Sequence, residues 1–146
     1  MPKGFTTIEL FIVVGIMLIT AAAAAPFYSG LQVSAQLNES NAQIAQNLRL
    51  ARGQSVARLN NTAHGVKFLA NSYVIYQGAS YAGRDTTYDR TVAIDSPLSL
   101  SATFTNDEVN FAMATGIPSN TGTTTLVHSV GGSRSVYLNS FGVVTE

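Results

Sequence analysis

The chain contains no cysteine. That excludes disulfides, zinc fingers, iron–sulfur clusters and thiol catalysis. An exported domain of this composition must hold itself together by its core and by its neighbours. Charge is scarce as well, at 11% of residues, where roughly a quarter is usual for a soluble protein. The formal net charge is zero, which argues against a general electrostatic grip on nucleic acid, since that needs a basic face. Ser, Thr, Asn and Gln take the place of the missing charge, together with one apolar block near the N-terminus. At 146 residues the length fits one domain.

Catalytic signatures are equally thin. His64 and His128 stand alone in sequence, and no Ser or Asp spacing around them forms a triad. Asp85 and Asp89, with Thr86 and Thr87 between them, offer oxygen ligands for calcium. The EF-hand pattern of alternating acidic ligands, a turn glycine and a closing glutamate is absent there, so the segment reads as a solvated loop. No glycine-rich phosphate loop precedes a helix, and Gly131-Gly132 reads as a hairpin turn. The expectation is a protein with no catalytic residues, no metal site and no cofactor.

What the chain does have is at its start. Met1-Pro2-Lys3-Gly4 is followed by Phe5-Thr6-Thr7-Ile8-Glu9, and from Leu10 to Ala25 every residue except Thr20 is apolar or small. An ordinary secretory signal has a basic start, an apolar stretch and a small-residue cleavage site, which Ala21 to Ala25 imitate. Two features point elsewhere. The basic region is a single lysine, and Glu9 sits at the edge of the apolar run. A carboxylate in lipid costs ~2.5–3.5 kcal/mol even on lenient scales, and a group kept at that cost is a functional hypothesis with a partner to be named.

Gly4, then Phe5 to Glu9, then the apolar stretch, resemble the N-terminus of the prepilin family of type IV pilins and pseudopilins. The resemblance implies that a membrane-embedded prepilin peptidase cuts after Gly4 and that the new terminus, Phe5, is methylated. It implies that the apolar helix stays on the mature chain and that Glu9 is the assembly carboxylate. The physics agrees with this. Cleavage creates an amine at Phe5 near Glu9, each costly in lipid alone, and a carboxylate on one subunit can pair with the amine of a staggered neighbour. A buried charge pair fixes register more reliably than it adds stability. The bland alternative is an interfacial Glu9 reaching up to the headgroups.

Leu10 to Phe27 is close to the length that crosses a ~30 Å hydrocarbon layer, with Phe5 to Ile8 extending it. Pro26 and Gly30, one turn apart, weaken the helix at the far end of the run. The resemblance adds that this stretch can bend or melt locally in a packed filament. Beyond Gly30, Leu37, Ile44, Leu48, Ala51, Ser55 and Leu59 fall near one helical face, while Gln36, Gln43, Asn47, Arg49 and Arg58 cover much of the rest. Arg49, Arg52 and Arg58 read as a solvated face.

After Asn60-Asn61-Thr62 the period drops to two. Val66 and Phe68, Tyr73 to Tyr76, Leu98 to Phe104, Val109 to Met113, Leu126-Val127 and Val136 to Leu138 read as strands separated by turn residues. The segment from Gly78 to Asp89 reads as a long polar surface loop. The expected fold class is α+β, a long N-terminal helix packed on an antiparallel sheet whose other face meets water. Its segments are a leader at 1–4, a transmembrane and assembly helix at 5–29, an amphipathic second half at 30–60, and a β-sheet domain at 61–146. Arg52 to Asn60 followed by a strand, Val109 to Gly116, and Arg134 to Gly142 also resemble the minor pseudopilin H subgroup of type II secretion and the fimbrial minor pilins.

The resemblance implies a structural subunit of a type IV pilus or type II secretion pseudopilus. It would be single-pass in the inner membrane before assembly, and in a periplasmic or extracellular filament afterwards. Its partners would be other pilin or pseudopilin subunits, the peptidase/methyltransferase and the membrane. The alternative is a minor pilin that binds DNA for uptake. Some relatives of that kind carry an Arg-rich C-terminal tail, whereas this chain ends Val143-Val144-Thr145-Glu146, so DNA binding by that route is not expected.

Overall fold

Thr6 adopts extended backbone and stops the chain from continuing the helix backwards, and from Thr7 onward the backbone is helical for 50 residues. The computed structural model describes residues 4–146, without the side chains of residues 24–27 and 29. Its first element is α1 (Thr7–Val56), about 75 Å long at 1.5 Å per residue. Ala57 closes α1, and Arg58 turns into the left-handed region with φ of 54°. A short 3-10 turn at Leu59–Asn61 then leads into the strands.

The strands are β1 (His64–Leu69), β2 (Ser72–Gln77), β3 (Asp85–Ala93), β4 (Leu98–Ala102), β5 (Glu108–Phe111), β6 (Gly122–His128), β7 (Ser133–Leu138) and β8 (Val144–Thr145). They form two four-stranded antiparallel sheets, not one. Their orders are β3-β2-β1-β5 and β4-β6-β7-β8. The β1–β2 and β6–β7 hairpins carry the turn residues read from the sequence. Gly131 and Gly132 take φ of 128° and 90°, backbone that favours glycine. The chain crosses between sheets at β4 and back at β5, so neither sheet is a simple meander.

The second half of α1 lies against both sheets. Leu37, Ile44, Leu48 and Ala51 meet Val66, Phe68, Tyr73, Val109 and Phe111 of the first sheet and Leu126, Val136 and Leu138 of the second in one core. Ser55, fully buried, ties the end of α1 to the first strand: its Oγ accepts from the His64 amide at 2.8 Å and donates to the His64 carbonyl at 3.3 Å. Two residues depart from the helical-wheel reading. Asn47, placed on the polar side, is buried and donates to the Tyr73 hydroxyl at 2.6 Å. Leu59, placed on the buried face, lies past the end of the helix and is 46% exposed.

The outer face of β2 does not meet water either. Tyr76 is 1% exposed because residues 78–84 fold across it. The Tyr81 ring stands edge-on to Tyr76 with centroids 5.6 Å apart, and the Arg84 guanidinium lies 3.7 Å over the Tyr81 ring. Arg84 Nε donates to Asp89 Oδ2 at 2.8 Å. Burial pushes the Tyr76 phenol up to about 12. The expected loop from Gly78 to Asp89 is therefore a short strap followed by the start of β3, which already begins at Asp85.

Tyr76 packs directly over Gly65, where an added Cβ would lie 2.5 Å from the Tyr76 hydroxyl and 2.6 Å from the Val109 carbonyl oxygen. Gly65→Ala should cost ~1–3 kcal/mol as overpacking, with a thermal midpoint lower by roughly 4–8 °C per kcal/mol. Gly53→Ala, on α1 with open space around it, should leave the midpoint unchanged or raise it. Thermal melts of the two variants side by side check this.

Candidate assembly surface

The candidate residues Gly4, Phe5 and Glu9 lie at the free end of α1. Thr6 and Glu9 form a reciprocal capping box there. Glu9 N donates to Thr6 Oγ1 at 3.3 Å, and Glu9 Oε2 accepts from Thr6 N at 3.0 Å and from Thr6 Oγ1 at 2.9 Å. This satisfies amide groups that a helix N-terminus otherwise leaves open. The Thr-x-x-Glu spacing is the local signal for it. Oε1 of Glu9 takes no partner among the described residues, so a carboxylate that caps its own helix still has acceptor capacity facing outward. Phe5 precedes the cap and is 87% exposed. Gly4 has open space around its α-carbon. Lys3, Pro2 and Met1 of the expected leader lie outside the described residues.

Along its free end the helix carries exposed apolar side chains: Ile8, Leu10, Phe11, Ile12, Ile16, Met17, Leu18 and Ile19 are each more than half exposed. No part of the β domain covers them. Thr20, the one hydroxyl in the run, donates to the carbonyls of Ile16 and Met17 at 3.0 Å each. The polar group is thus satisfied within its own helix, as an apolar environment demands. No helix among the described residues is long and apolar enough to cross a membrane.

The backbone is helical from Thr7 through Gly30 with no interruption. Gly30 has nothing within 4 Å of an added Cβ, so no packing contact within the chain requires glycine there. The side chain of Pro26 lies outside the described residues. The bend expected at Pro26 and Gly30 concerns the packed filament.

The remaining candidates sit elsewhere and serve the fold. Arg49 donates to the Val144 carbonyl at 3.2 Å and pairs with Glu146 at 3.1 Å. Arg52 donates to the carbonyls of Gly116 and Phe141 at 3.2 and 3.1 Å. The two arginines therefore stitch α1 to the C-terminal loops and do not simply present a solvated face. His128 joins α1 to the β6–β7 hairpin, with Nδ1 accepting from the Val130 amide at 3.1 Å and Nε2 3.3 Å from Gln36 Oε1. Asp85 Oδ1 accepts from the Thr87 amide at 3.0 Å, and Asp89 is paired with Arg84. Among the described residues no three His, Asp or Glu side chains come together as a metal site.

No family model matches the chain, and no curated protein matches it in sequence. Solved structures do match. The minor pseudopilin EpsH from the type 2 secretion system of Vibrio cholerae aligns with a TM-score of 0.59 at 12% identity, over 75% of this chain and 94% of that one. The type IV minor pilin FimU of Pseudomonas aeruginosa aligns with a TM-score of 0.59 at 16% identity, over 75% of this chain and 90% of the other. In a second crystal form FimU gives a TM-score of 0.60 at 14% identity, over 79% and 90%. At such identities the likeness is one of fold. The fold is the type IV pilin-like fold of the minor pseudopilin and minor pilin type, and the subgroup resemblance holds at that level.

Proposed function

We propose that the chain is a structural subunit of a type IV pilus or type II secretion pseudopilus, processed between Gly4 and Phe5 and polymerised through its N-terminal helix. The observation that carries this reading is the projecting half of α1, with large apolar side chains exposed on all sides. Such a surface on a monomer marks a contact with lipid or protein. Lipid would cover it before assembly and the helices of neighbouring subunits afterwards. The sequence continues the apolar run through Phe27, and the run taken whole, Leu10 to Phe27 with Phe5 to Ile8 before it, supports anchoring in the inner membrane. The matching fold in EpsH and FimU supports the same assignment.

Its role is structural rather than catalytic, and its partners are other pilin or pseudopilin subunits, the membrane and a prepilin peptidase with methyltransferase activity. DNA uptake is the lesser reading. The net charge is zero, and Arg49 and Arg52 are engaged within the fold. Intact-mass measurement of the chain recovered from sheared filaments should give a species that begins at a methylated Phe5. Filament protein that retains Met1 or Lys3 would overturn the reading.

A further inference from the structure

The molecule is unfinished at a second place, between the end of α1 and β3. Leu50, Leu59, His64, Ile75, Tyr88 and Arg90 line a pocket of about 180 Å³. Pockets that take whole small molecules run to about 300–1,000 Å³, whereas a cavity of about 150 Å³ holds one benzene ring. The size suits a single apolar side chain. Leu50, Leu59 and Tyr88 are each 40% or more exposed, so the apolar wall faces an open mouth.

One charge at the pocket is also unpaired. Arg90 is exposed and takes part in no ion pair among the described residues, where the pairs are Arg49–Glu146 and Arg84–Asp89. No carboxylate lines the pocket.

β3 forms one border of this pocket and is an edge strand, paired on one side with β2 and on the other with nothing described. At nine residues it is the longest strand of the domain. Tyr88 and Arg90 both line the pocket and so turn to one face of β3. Ile75 opposite Arg90 and Tyr73 opposite Val92 identify that face as the one turned toward α1. Edge strands are normally guarded by charge and by bulges, and β3 has both, with a register shift near Ile75 and Gln77. The charges guard selectively. Asp89 is neutralised by Arg84 within the chain and Asp85 accepts from the Thr87 amide, whereas Arg90, at the pocket, is in no ion pair among the described residues.

We infer that this edge and pocket form one binding site for an extended segment of a partner protein, which adds to β3 as a further strand. An apolar side chain of the segment fills the pocket, and a carboxylate two residues along meets Arg90. Main-chain hydrogen bonds supply affinity in this mode, and alternate side chains supply specificity. The site lies on the β domain and does not depend on the filament reading.

The test uses the full chain in lipid nanodiscs with two fluorescein-labelled peptides, Thr-Thr-Phe-Thr-Glu-Thr-Thr and its Glu-to-Lys counterpart. Fluorescence anisotropy should show saturable, micromolar binding of the acidic peptide and binding weaker by about tenfold or more for the basic one. Arg90→Glu, an exposed change whose thermal midpoint should match the parent, should reverse that order. Leu59→Glu should weaken the acidic peptide. Equal curves for the two peptides, curves unmoved by Arg90→Glu, or no saturation up to about 1 mM would overturn the proposal. So would sedimentation showing that Arg90→Glu abolishes self-association while neither peptide binds, which would assign the edge to a second copy of this chain.

Discussion

Gly4→Leu is expected to leave nearly all of the protein uncut in the membrane fraction and to reduce sheared filaments to background. Peptidase cleavage needs close access to the backbone on both sides of the Gly4–Phe5 bond, and a branched side chain obstructs it. The substitution has no other route to a large effect. An added Cβ at Gly4 meets nothing within 4 Å, the residue lies outside α1, and the β domain is far along the chain. A leader that stays on also withholds the Phe5 amine, so Glu9 is left without its proposed partner. Intact mass of the membrane-fraction protein should show the full leader and no added methyl group. Circular dichroism of the variant should match the parent. Filaments in normal amount from uncut Gly4→Leu chains would remove processing from the proposed function.

Local signals carried most of the fold. The 3.6-residue spacing of Leu37, Ile44, Leu48, Ala51 and Ser55 marks the buried face of α1, and all of them are buried. Period two and turn chemistry mark most of the strands. Most of the misses are non-local. Asn47 looks like a surface residue until the Tyr73 hydroxyl arrives from another element to receive its amide. Leu59 keeps the helical spacing, but Arg58 at φ of 54° has already turned the chain away. Asp85 to Arg90 has no alternation because an edge strand with charge on both faces needs none, and only the ladder to β2 makes it a strand. The division into two sheets has no local signature either. Leu98 to Ala102 alternates as it would in any sheet, but its partner is β6, across the intervening β5.

The same contrast runs through the assembly surface. Gly4, Phe5 and Glu9 stand out as candidates because a contiguous motif carries them, and the Thr6–Glu9 capping box is itself a four-residue pattern. The strap over Tyr76 was not legible. It depends on Arg84 finding the Tyr81 ring and Asp89 together, and nothing in a polar, glycine-containing run distinguishes that from a solvated loop. The pocket beside β3 draws on α1, β1, β2 and β3 at once, so it exists only after the chain has folded.

The capping box sharpens what Glu9 should do, because the carboxylate now has two candidate roles with different chemistry. As a cap, it accepts from the Thr6 amide and hydroxyl, and a glutamine serves that role nearly as well. As a docking group, its negative charge must meet the Phe5 amine of a neighbouring chain, and glutamine cannot replace it. Glu9→Gln should therefore insert, be cut and keep its helix start, yet lose assembly. Removing one partner of a buried charge pair costs about 3–5 kcal/mol, and 3 kcal/mol is a factor of about a hundred in association. Glu9→Leu should lose the same factor together with the carboxylate half of the box, while Thr6 Oγ1 still accepts from the residue-9 amide. Leucine makes the segment more apolar, so poor insertion cannot account for its loss. The readout is membrane-fraction protein against sheared-filament protein for parent, Glu9→Gln and Glu9→Leu. If Glu9→Gln yields filaments in normal amount with an unchanged subunit rise, the charge has no docking role and Glu9 serves only to start its own helix.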